Sequence, residues 1–305
     1  GATVEKAVDR YTRILGAGTK ETSIATAFGD KLGKWLVAPI ADRLEGTQVL
    51  VVSATGSFKK LPFGILRHDG QYLVERTAVV GVTHVGSLRR RGATESRYRI
   101  DPARTLFLGN PDGSLPGAEA EVKALRQRFP ASASLVGPAG TRTAFTKAGE
   151  GKTTLHLATH GRIDPAHPER SFLVLAGPDE AENRLAYREI PGLAGYLDSA
   201  RLVVLSACQS SLAVEAKGGE EGKPGISING LAAQFRRAGV ETLIGSLWKV
   251  DDEGTLALMQ GMYAELAQGH DIARSLQRAQ VAMLDEGTYA HPLYWGAFVV
   301  VGDWR

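Results

Sequence analysis

Apolar residues recur at helical spacing along the first 45 residues of the chain. Intervals of three and four residues place them on one face of a helix. The positions are Val4, Val8, Ile14, Leu15, Ile24, Phe28, Leu32, Leu36 and Ile40. Pro39 marks a kink or an end, because proline lacks the amide hydrogen that a continuing helix needs. The pattern predicts a helical lead-in over residues 1–45.

After the lead-in, the pattern changes to short runs of consecutive apolar residues, which are typical of buried strands. The runs occupy residues 49–53, 72–83, 105–109, 154–159, 172–176, 202–206, 242–247 and 297–301. Helical spacing fills residues 228–238, 254–267 and 272–284, and a further helix is expected to begin near Pro116. Apolar strands that alternate with helices predict an α/β fold with a mainly parallel sheet covered on both faces.

Two stretches interrupt this pattern. Residues 87–104 carry six arginines and little apolar content, which indicates an exposed connection and makes a nucleic-acid surface the less favoured alternative. Residues 210–227 are rich in glycine and charge, which predicts a loop that can order when a ligand or partner binds. Nucleic acid is therefore expected only as an indirect partner, if at all.

Composition narrows the class of protein further. Apolar residues make up 43% and charged residues 23% of the 305 positions, which is ordinary for a globular protein. No apolar stretch reaches the roughly 20 residues that a membrane helix needs, and the first residues lack the layout of a secretory signal. We therefore expect a cytoplasmic protein without a membrane partner. The formal charge of +3 is too small to argue for nucleic acid or anionic membrane as the main partner.

The chain contains one cysteine, Cys208. A single thiol excludes an internal disulfide and any zinc site built from several cysteines, and no cofactor is expected. A lone cysteine without context is most often a small buried hydrophobic side chain. Only its position in the chain can favour a chemical role.

Cys208 and His160 each follow a predicted strand directly. The run LHLATHG ends with His160 and Gly161, and the run LVVLSAC ends with Cys208. Carboxyl ends of neighbouring parallel strands meet at one edge of a sheet, where open α/β folds bind their ligands. An imidazole beside a thiol lowers the pKa of the thiol and later protonates the leaving amine. If the two strands are neighbours, Cys208 is the expected nucleophile and His160 the base that activates it.

The remaining polar groups near these strand ends have expected roles as well. The backbone amides of Gly161 and Cys208 are positioned to donate hydrogen bonds to an oxyanion. His156 competes for the role of base, but it lies inside the strand and not at its end, so we interpret it as a core residue. Asp164 and His167 follow without a recognised metal-ligand spacing, and no metal site is predicted.

Two other motifs are incomplete. The segment GEGKTT at residues 149–154 looks like part of a phosphate-binding loop, but Thr146 replaces the glycine that such a loop needs five residues before its Gly-Lys pair. The segment also leads into a predicted strand, whereas a phosphate-binding loop leads into a helix. No Gly-x-Ser-x-Gly elbow of a serine hydrolase occurs. Neither a nucleotide-binding switch nor a serine hydrolase is favoured.

Six stretches together resemble the CHAT family of caspase-like cysteine peptidases. They are LPFGIL at 61–66, NPDGSLPGAEAEV at 110–122, ATHGRID at 158–164, LVVLSACQS at 202–210, AGVETLIGSLWKVDD at 238–252 and PLYWGAFVVVG at 292–302. In this resemblance, His160 and Cys208 match the family's catalytic histidine and cysteine. It implies a cysteine endopeptidase that cleaves a protein substrate.

The resemblance also implies an architecture and a setting. The expected fold is a caspase-like α/β/α sandwich similar to that of separase, with an inactive caspase-like half at residues 46–130 and an active peptidase half at residues 131–305. The family usually places this domain after helical repeats, so the sequence is expected to be a fragment of a longer protein. A repeat region or a partner would then regulate cleavage, in bacterial defence or cell death.

The resemblance suggests where a specificity pocket lies. Separase carries an acidic residue shortly after a Leu-Trp pair, and the similar stretch here, LWKVDD, contains Asp251 and Asp252. An acid in the pocket would pair with an arginine or lysine before the scissile bond. Asp252 is the preferred candidate, and the alternative is that both aspartates cap a helix that begins near Glu253. Metacaspases have an acid two residues before the cysteine, where this chain has Ser206. This difference puts strict basic specificity in doubt. Ser206 is the third candidate for a substrate-binding residue.

The competing function is a catalytically silent CHAT module. Such a module would bind or scaffold a partner while retaining Cys208 and His160. Covalent capture of Cys208 by a peptide-based electrophile would distinguish a peptidase from this alternative.

Overall fold

The computed structural model describes residues 2–84, 86, 98–162, 164, 167, 170–206 and 228–305. The helices are α1 (Ala2–Gly16), α2 (Thr22–Leu36), α3 (Ala41–Leu44), α4 (Leu73–Arg76), α5 (Pro116–Arg128), α6 (Arg142–Gly149), α7 (Glu180–Asn183), α8 (Ile228–Arg237), α9 (Asp252–Ala267), α10 (Ile272–Glu286) and α11 (Pro292–Trp295). The strands are β1 (Val49–Val52), β2 (Arg67–His68), β3 (Gln71–Tyr72), β4 (Ala78–Gly81), β5 (Thr105–Gly109), β6 (Ala133–Val136), β7 (Thr154–Ala158), β8 (Gly161–Arg162), β9 (Phe172–Val174), β10 (Arg184–Ala186), β11 (Leu202–Leu205), β12 (Thr242–Ser246) and β13 (Phe298–Gly302).

An eight-stranded sheet organises the described part of the chain, with strand order β1-β4-β13-β12-β11-β7-β5-β6. Every neighbouring pair in it is parallel except β12 and β13. Three strands therefore run one way and five run the other. The predicted mainly parallel sheet is confirmed.

Helices cover both faces of this sheet. On one face, the ring of Tyr263 in α9 packs against the rings of Phe107 in β5 and His156 in β7. The centroid distance is 5.6 Å in each case. On the other face, Leu155 points toward α6, where a Cβ atom added to Gly149 would lie 3.8 Å from its side chain. Successive side chains of a strand point to opposite faces, so α6 and α9 lie on opposite sides. The α/β/α sandwich is confirmed.

The N-terminal helices pack on one another and on the small hairpin of β2 and β3. The rings of Tyr11 in α1 and Phe28 in α2 stack with their centroids 5.5 Å apart. Gly33 in α2 lies so close to the hairpin that an added Cβ would be 1.7 Å from the carbonyl oxygen of Arg67. The division into a lead-in and two halves stays a prediction, and β5 from the first half pairs directly with β7 from the second.

Several elements differ from the sequence prediction, and α4 and β6 show why. Residues 72–83 were expected to form one strand region, but α4 lies between β3 and β4. Its first turn is stabilised by Glu75, whose carboxylate accepts a hydrogen bond from the backbone amide of Tyr72 at 2.5 Å. Strand β6 was not predicted, because it lies at the edge of the sheet, where its residues are only half-buried and its apolar pattern is weak.

The carboxyl ends of β5, β7, β11 and β12 lie in register at one edge of the sheet. Gly109 is paired with Ala158, and Leu205 is paired with both Leu157 and Gly245. Residues that follow these strands therefore emerge side by side. No helix in the part of the chain that the structure describes is both long and apolar enough to cross a membrane.

Candidate active site

His160 follows β7 at this edge, and its main chain is held by β9. The Thr159 hydroxyl donates to the carbonyl oxygen of Val174 at 2.7 Å, and the Val174 amide donates to the carbonyl oxygen of His160 at 2.8 Å. These two bonds fix the chain on both sides of the peptide that joins residues 159 and 160. The imidazole is half-buried.

The loop after β5 lies beside His160. Asn110 begins it in the left-handed region, with φ of 50°, and its side-chain oxygen accepts a hydrogen bond from the Leu115 amide at 2.6 Å. Gly113 also has a positive φ, of 77°, which a side chain would disfavour. Asparagine tolerates the left-handed region better than most residues, so the sequence NPDGS is suited to this turn.

The turn brings two polar side chains to the imidazole that the sequence analysis missed. The Ser114 hydroxyl lies 2.8 Å from Nε2 of His160. The same hydroxyl donates to Oδ1 of Asp112 at 2.8 Å, and the Ser114 amide donates to that oxygen at 3.2 Å. Both residues lie in the loop that follows the buried strand β5, and a polar residue after a buried strand is the same signal that predicted His160.

The electrostatics favour a neutral imidazole beside an ionised carboxylate. Burial is the largest influence on His160 and lowers its pKa below the ordinary value; Asp112 raises that pKa, whereas Arg162 and Lys249 lower it. For Asp112, burial acts to raise the pKa, but the hydrogen bonds from the Ser114 hydroxyl and amide, together with His160, lower it overall. A neutral histidine near pH 7 can accept a proton.

The strand that leads to the predicted nucleophile is the neighbour of β7. Val204 of β11 is paired with His156, and Leu205 is paired with Leu157. Adjacency of the two strands, on which the sequence argument depends, is therefore confirmed. Cys208 lies outside the described residues, so its distance from His160 stays a prediction.

Gly161, the predicted oxyanion-hole residue, begins β8 and is paired with Leu173 of β9. Because the Val174 amide donates to the His160 carbonyl, Gly161 and Leu173 form a pair that does not exchange hydrogen bonds. The Gly161 amide therefore points away from β9. Its role toward an oxyanion stays a prediction.

A small pocket opens at the same edge, between α5, the ends of β7, β11 and β12, and the start of α9. It has about 400 Å³ of open space, and Asp252, Ser206 and Glu121 contribute to its lining. Asp252 lies against Gly117 of α5, where an added Cβ would be 2.2 Å from the carboxylate. Glycine is therefore needed here for the close approach of α5 to the carboxylate.

The two adjacent aspartates have different environments. Asp251 is the N-cap of α9, and its side chain accepts a hydrogen bond from the Gly254 amide at 2.8 Å. Capping therefore explains Asp251, as the alternative interpretation expected. Asp252 is the first residue of the helix and lines the pocket.

Glu121 is a second acidic residue that the sequence analysis missed. It is buried, and its Oε2 accepts a hydrogen bond from the Ser206 hydroxyl at 2.9 Å. Its Oε1 lies 2.7 Å from Nε2 of His156, whose Nδ1 lies 3.3 Å from the Tyr263 hydroxyl. His156 is fully buried, which confirms that it is a core residue. A carboxylate from α5 therefore lies beside Ser206.

Among the residues that the structure describes, no group of three or more histidine, cysteine, aspartate or glutamate side chains is arranged to hold a metal ion.

Comparisons with solved structures identify the fold. Separase from Saccharomyces cerevisiae, solved with securin, is 12% identical over 83% of this chain, with a TM-score of 0.58. The Arg-specific cysteine proteinase gingipain R is 11% identical over 88% of this chain and 67% of its own, with a TM-score of 0.52. The match covers only 15% of the separase chain. Both are caspase-like cysteine peptidases, and the fold of this chain is of their type.

Sequence comparisons give a family. No curated protein matches the chain. The sequence profile of the CHAT domain matches residues 26–303, from within α2 to the end of the sheet. That span is most of the chain and includes His160, the pocket and the predicted nucleophile. The chain belongs to the CHAT domain family.

Proposed function

We propose that this domain is a cysteine endopeptidase in which Cys208 is the nucleophile and His160 the general base. The observation that carries the proposal is the placement of a neutral, hydrogen-bonded imidazole at the carboxyl end of β7, next to the strand that leads to residue 208. Family membership supports it, since the solved structures with this fold are cysteine peptidases.

In the proposed reaction, His160 transfers protons, Cys208 attacks the substrate and two backbone amides stabilise the oxyanion. His160 accepts the thiol proton, and the Cys208 sulfur attacks the carbonyl carbon of the scissile peptide. Backbone amides of Gly161 and Cys208 donate hydrogen bonds to the oxygen that becomes negative. His160 then gives its proton to the leaving amine, and a water molecule hydrolyses the thioester to release the second product.

The pocket supports a preference for a basic residue before the scissile bond. Asp252 presents a carboxylate to the pocket, and Ser206 connects the pocket to the buried acid of Glu121. An arginine or lysine side chain would pair with the first of these carboxylates. On this proposal, Glu121 of α5 is the counterpart of the acid that metacaspases have two residues before the cysteine.

The substrate is proposed to be a specific protein, and a helical-repeat region or a regulatory partner is proposed to control cleavage. The solved separase is a complex with securin, which gives an example of a protein partner for a protein that contains this fold. Family resemblance favours a role in bacterial defence or cell death. On this proposal the isolated chain has little activity until the repeat region or partner acts on it.

Covalent capture tests the proposal. A peptide acyloxymethyl ketone with arginine at its reactive end is expected to add to Cys208 and to give one mass increase by mass spectrometry. Capture should fall strongly in His160→Ala, because the thiol then lacks its base. His270→Ala serves as the matched control, since His270 is a half-buried histidine beside Glu265 in a different part of the fold. A folded wild-type chain whose Cys208 reacts no faster than that of His160→Ala would favour the silent module instead.

A further inference from the structure

We infer that Ser114 is a positioning residue, held by Asp112, that fixes His160 with its proton on Nε2 and leaves Nδ1 to accept the thiol proton. This inference rests on the proposed function for its catalytic meaning. The structural part of it concerns the imidazole alone and can be tested without turnover.

The hydrogen count around Ser114 determines which atom donates. A serine hydroxyl has one proton and two lone pairs. Its oxygen lies 2.8 Å from Oδ1 of Asp112 and 2.8 Å from Nε2 of His160. A carboxylate only accepts, so the hydroxyl proton is given to Asp112. If Nε2 were also an acceptor, the contact with Ser114 would join two acceptors without a proton between them.

His160 must therefore donate from Nε2, which places the lone pair of the neutral ring on Nδ1. None of the described residues forms a hydrogen bond with Nδ1, whereas Nε2 forms one with the Ser114 hydroxyl. The Ser114 amide also donates a hydrogen bond to Oδ1 of Asp112, and this bond stabilises the ionised carboxylate. Because the carboxylate stays ionised, the Ser114 hydroxyl keeps donating its proton to Asp112. Asp112 and Ser114, in the loop after β5, thus determine that the neutral ring of His160 carries its proton on Nε2.

The loop is held firmly enough for this role. Asn110 donates its amide to the carbonyl oxygen of Ala158 at 3.0 Å, which ties the loop to the strand that carries His160. Its side-chain oxygen accepts from Leu115 at 2.6 Å, and its side-chain nitrogen donates to Glu119 at 3.2 Å. Both ends of the segment that presents Ser114 are thereby fixed relative to the imidazole.

The arrangement also helps the ring after it is protonated. When the S–H bond of Cys208 breaks, a bond forms between that proton and Nδ1, and the Nε2 proton stays in its bond to Ser114. The ring then carries a positive charge that faces Asp112 through one hydroxyl. Opposite charges at this separation stabilise the protonated ring, and no other reactant is needed.

The test uses the ¹⁵N-labelled chain with Cys208→Ala, which removes the nucleophile and so prevents turnover. Long-range ¹H–¹⁵N spectra above the histidine pKa should show His160 protonated on Nε2. In the double variant Cys208→Ala/Ser114→Ala, the His160 ring should become a mixture of its two neutral tautomers. In Cys208→Ala/Ser114→Thr, which keeps a hydroxyl at this position, the Nε2-protonated tautomer should remain the single form. A wild-type ring protonated on Nδ1, or an unchanged tautomer in Ser114→Ala, would overturn the inference.

A kinetic measurement with Cys208 present gives the second readout. The rate of Cys208 alkylation by the arginyl ketone should fall roughly tenfold in Ser114→Ala, the effect of losing one charge-assisted hydrogen bond. Ser23→Ala is the matched control, because Ser23 also donates to a carboxylate, that of Glu21 at 2.9 Å, on the exposed surface of α2. An equal loss in both variants would contradict a positioning role. A correct tautomer together with a Cys208 alkylation rate that His160→Ala leaves unchanged would instead refute the proposed peptidase.

Discussion

At the scale of single residues, burial has the largest influence on the pKa of His160, and charges of opposite sign adjust it further. Asp112 raises its pKa, and Lys249 lowers it. The two groups come from different loops, after β5 and after β12, so each can be changed separately. The ring itself remains half-buried in either variant, which keeps the largest influence, burial, in place.

We expect Asp112→Asn and Lys249→Met to move the pKa of His160 in opposite directions. Loss of the carboxylate removes a charge that stabilises the protonated ring, so the pKa falls; loss of the ammonium removes a repulsion, so it rises. An NMR titration in the Cys208→Ala protein measures both. Shifts in the same direction would show that these charges do not act on the ring as described.

Asp252 is the residue on which the proposed preference for basic substrates depends. Asp252→Asn is expected to raise KM for an arginyl peptide roughly tenfold while kcat changes little, because a carboxylate pairs with guanidinium and an amide does so weakly. Glu253→Gln is the control, since Glu253 is the next residue of α9 and lies outside the pocket lining. Peptides with leucine in place of arginine should not distinguish the variants. An unchanged KM for arginyl peptide would remove Asp252 from the specificity argument.

At the scale of elements, α9 links stability to the pocket. Its N-cap, Asp251, accepts from the Gly254 amide, and the neighbouring helix α10 has the same arrangement, in which Asp271 accepts from the Arg274 amide at 2.9 Å. Both N-caps are aspartates that accept a hydrogen bond from a backbone amide. Of the two, only the N-cap of α9 is next to a residue that lines the pocket, Asp252.

Replacing either cap by alanine is expected to cost about 1 kcal/mol of unfolding free energy, measured by urea denaturation. Asp251→Ala should in addition raise KM for an arginyl peptide, because fraying of the first turn moves Asp252. Asp271→Ala should leave KM unchanged. Equal KM values in both variants would mean that the start of α9 does not position the pocket.

Sequence patterns predicted elements best where burial is complete. Strand β5 was predicted with its observed bounds, because every residue of TLFLG is buried. The edge strand β6 was missed because its half-buried residues leave little hydrophobic pattern. The helix α4 was mistaken for strand because its buried residues Leu73 and Val74 continue into the apolar run of β4, and a short apolar run does not distinguish a helical turn from a strand.

At the scale of the whole molecule, the buried pair of Glu121 and His156 joins α5 to the central sheet. Their side chains are 4% and 0% exposed, so neither can exchange its partner for water. Removing one member leaves the other buried without its partner, which is costly. Removing both relieves that cost.

Glu121→Leu and His156→Leu are each expected to lower the unfolding free energy by about 3 kcal/mol, and the double variant by much less than their sum. Urea denaturation of the four proteins measures the coupling. The exposed pair of Arg184 and Glu180, with atoms 2.9 Å apart, is the control and should couple by less than about 1 kcal/mol. Additive losses at the buried pair would show that it does not act as a unit.

The sequence by itself determined the α/β class, the buried strands and the placement of His160 and Cys208 directly after two of them. These features depend on local hydrophobic runs, which any folded form must bury. Strand order depends on long-range pairing, so only the tertiary structure decided that β5 lies beside β7 and carries Ser114 to the imidazole. For the same reason, the acid beside Ser206 comes from Glu121, which lies 85 positions away along the chain.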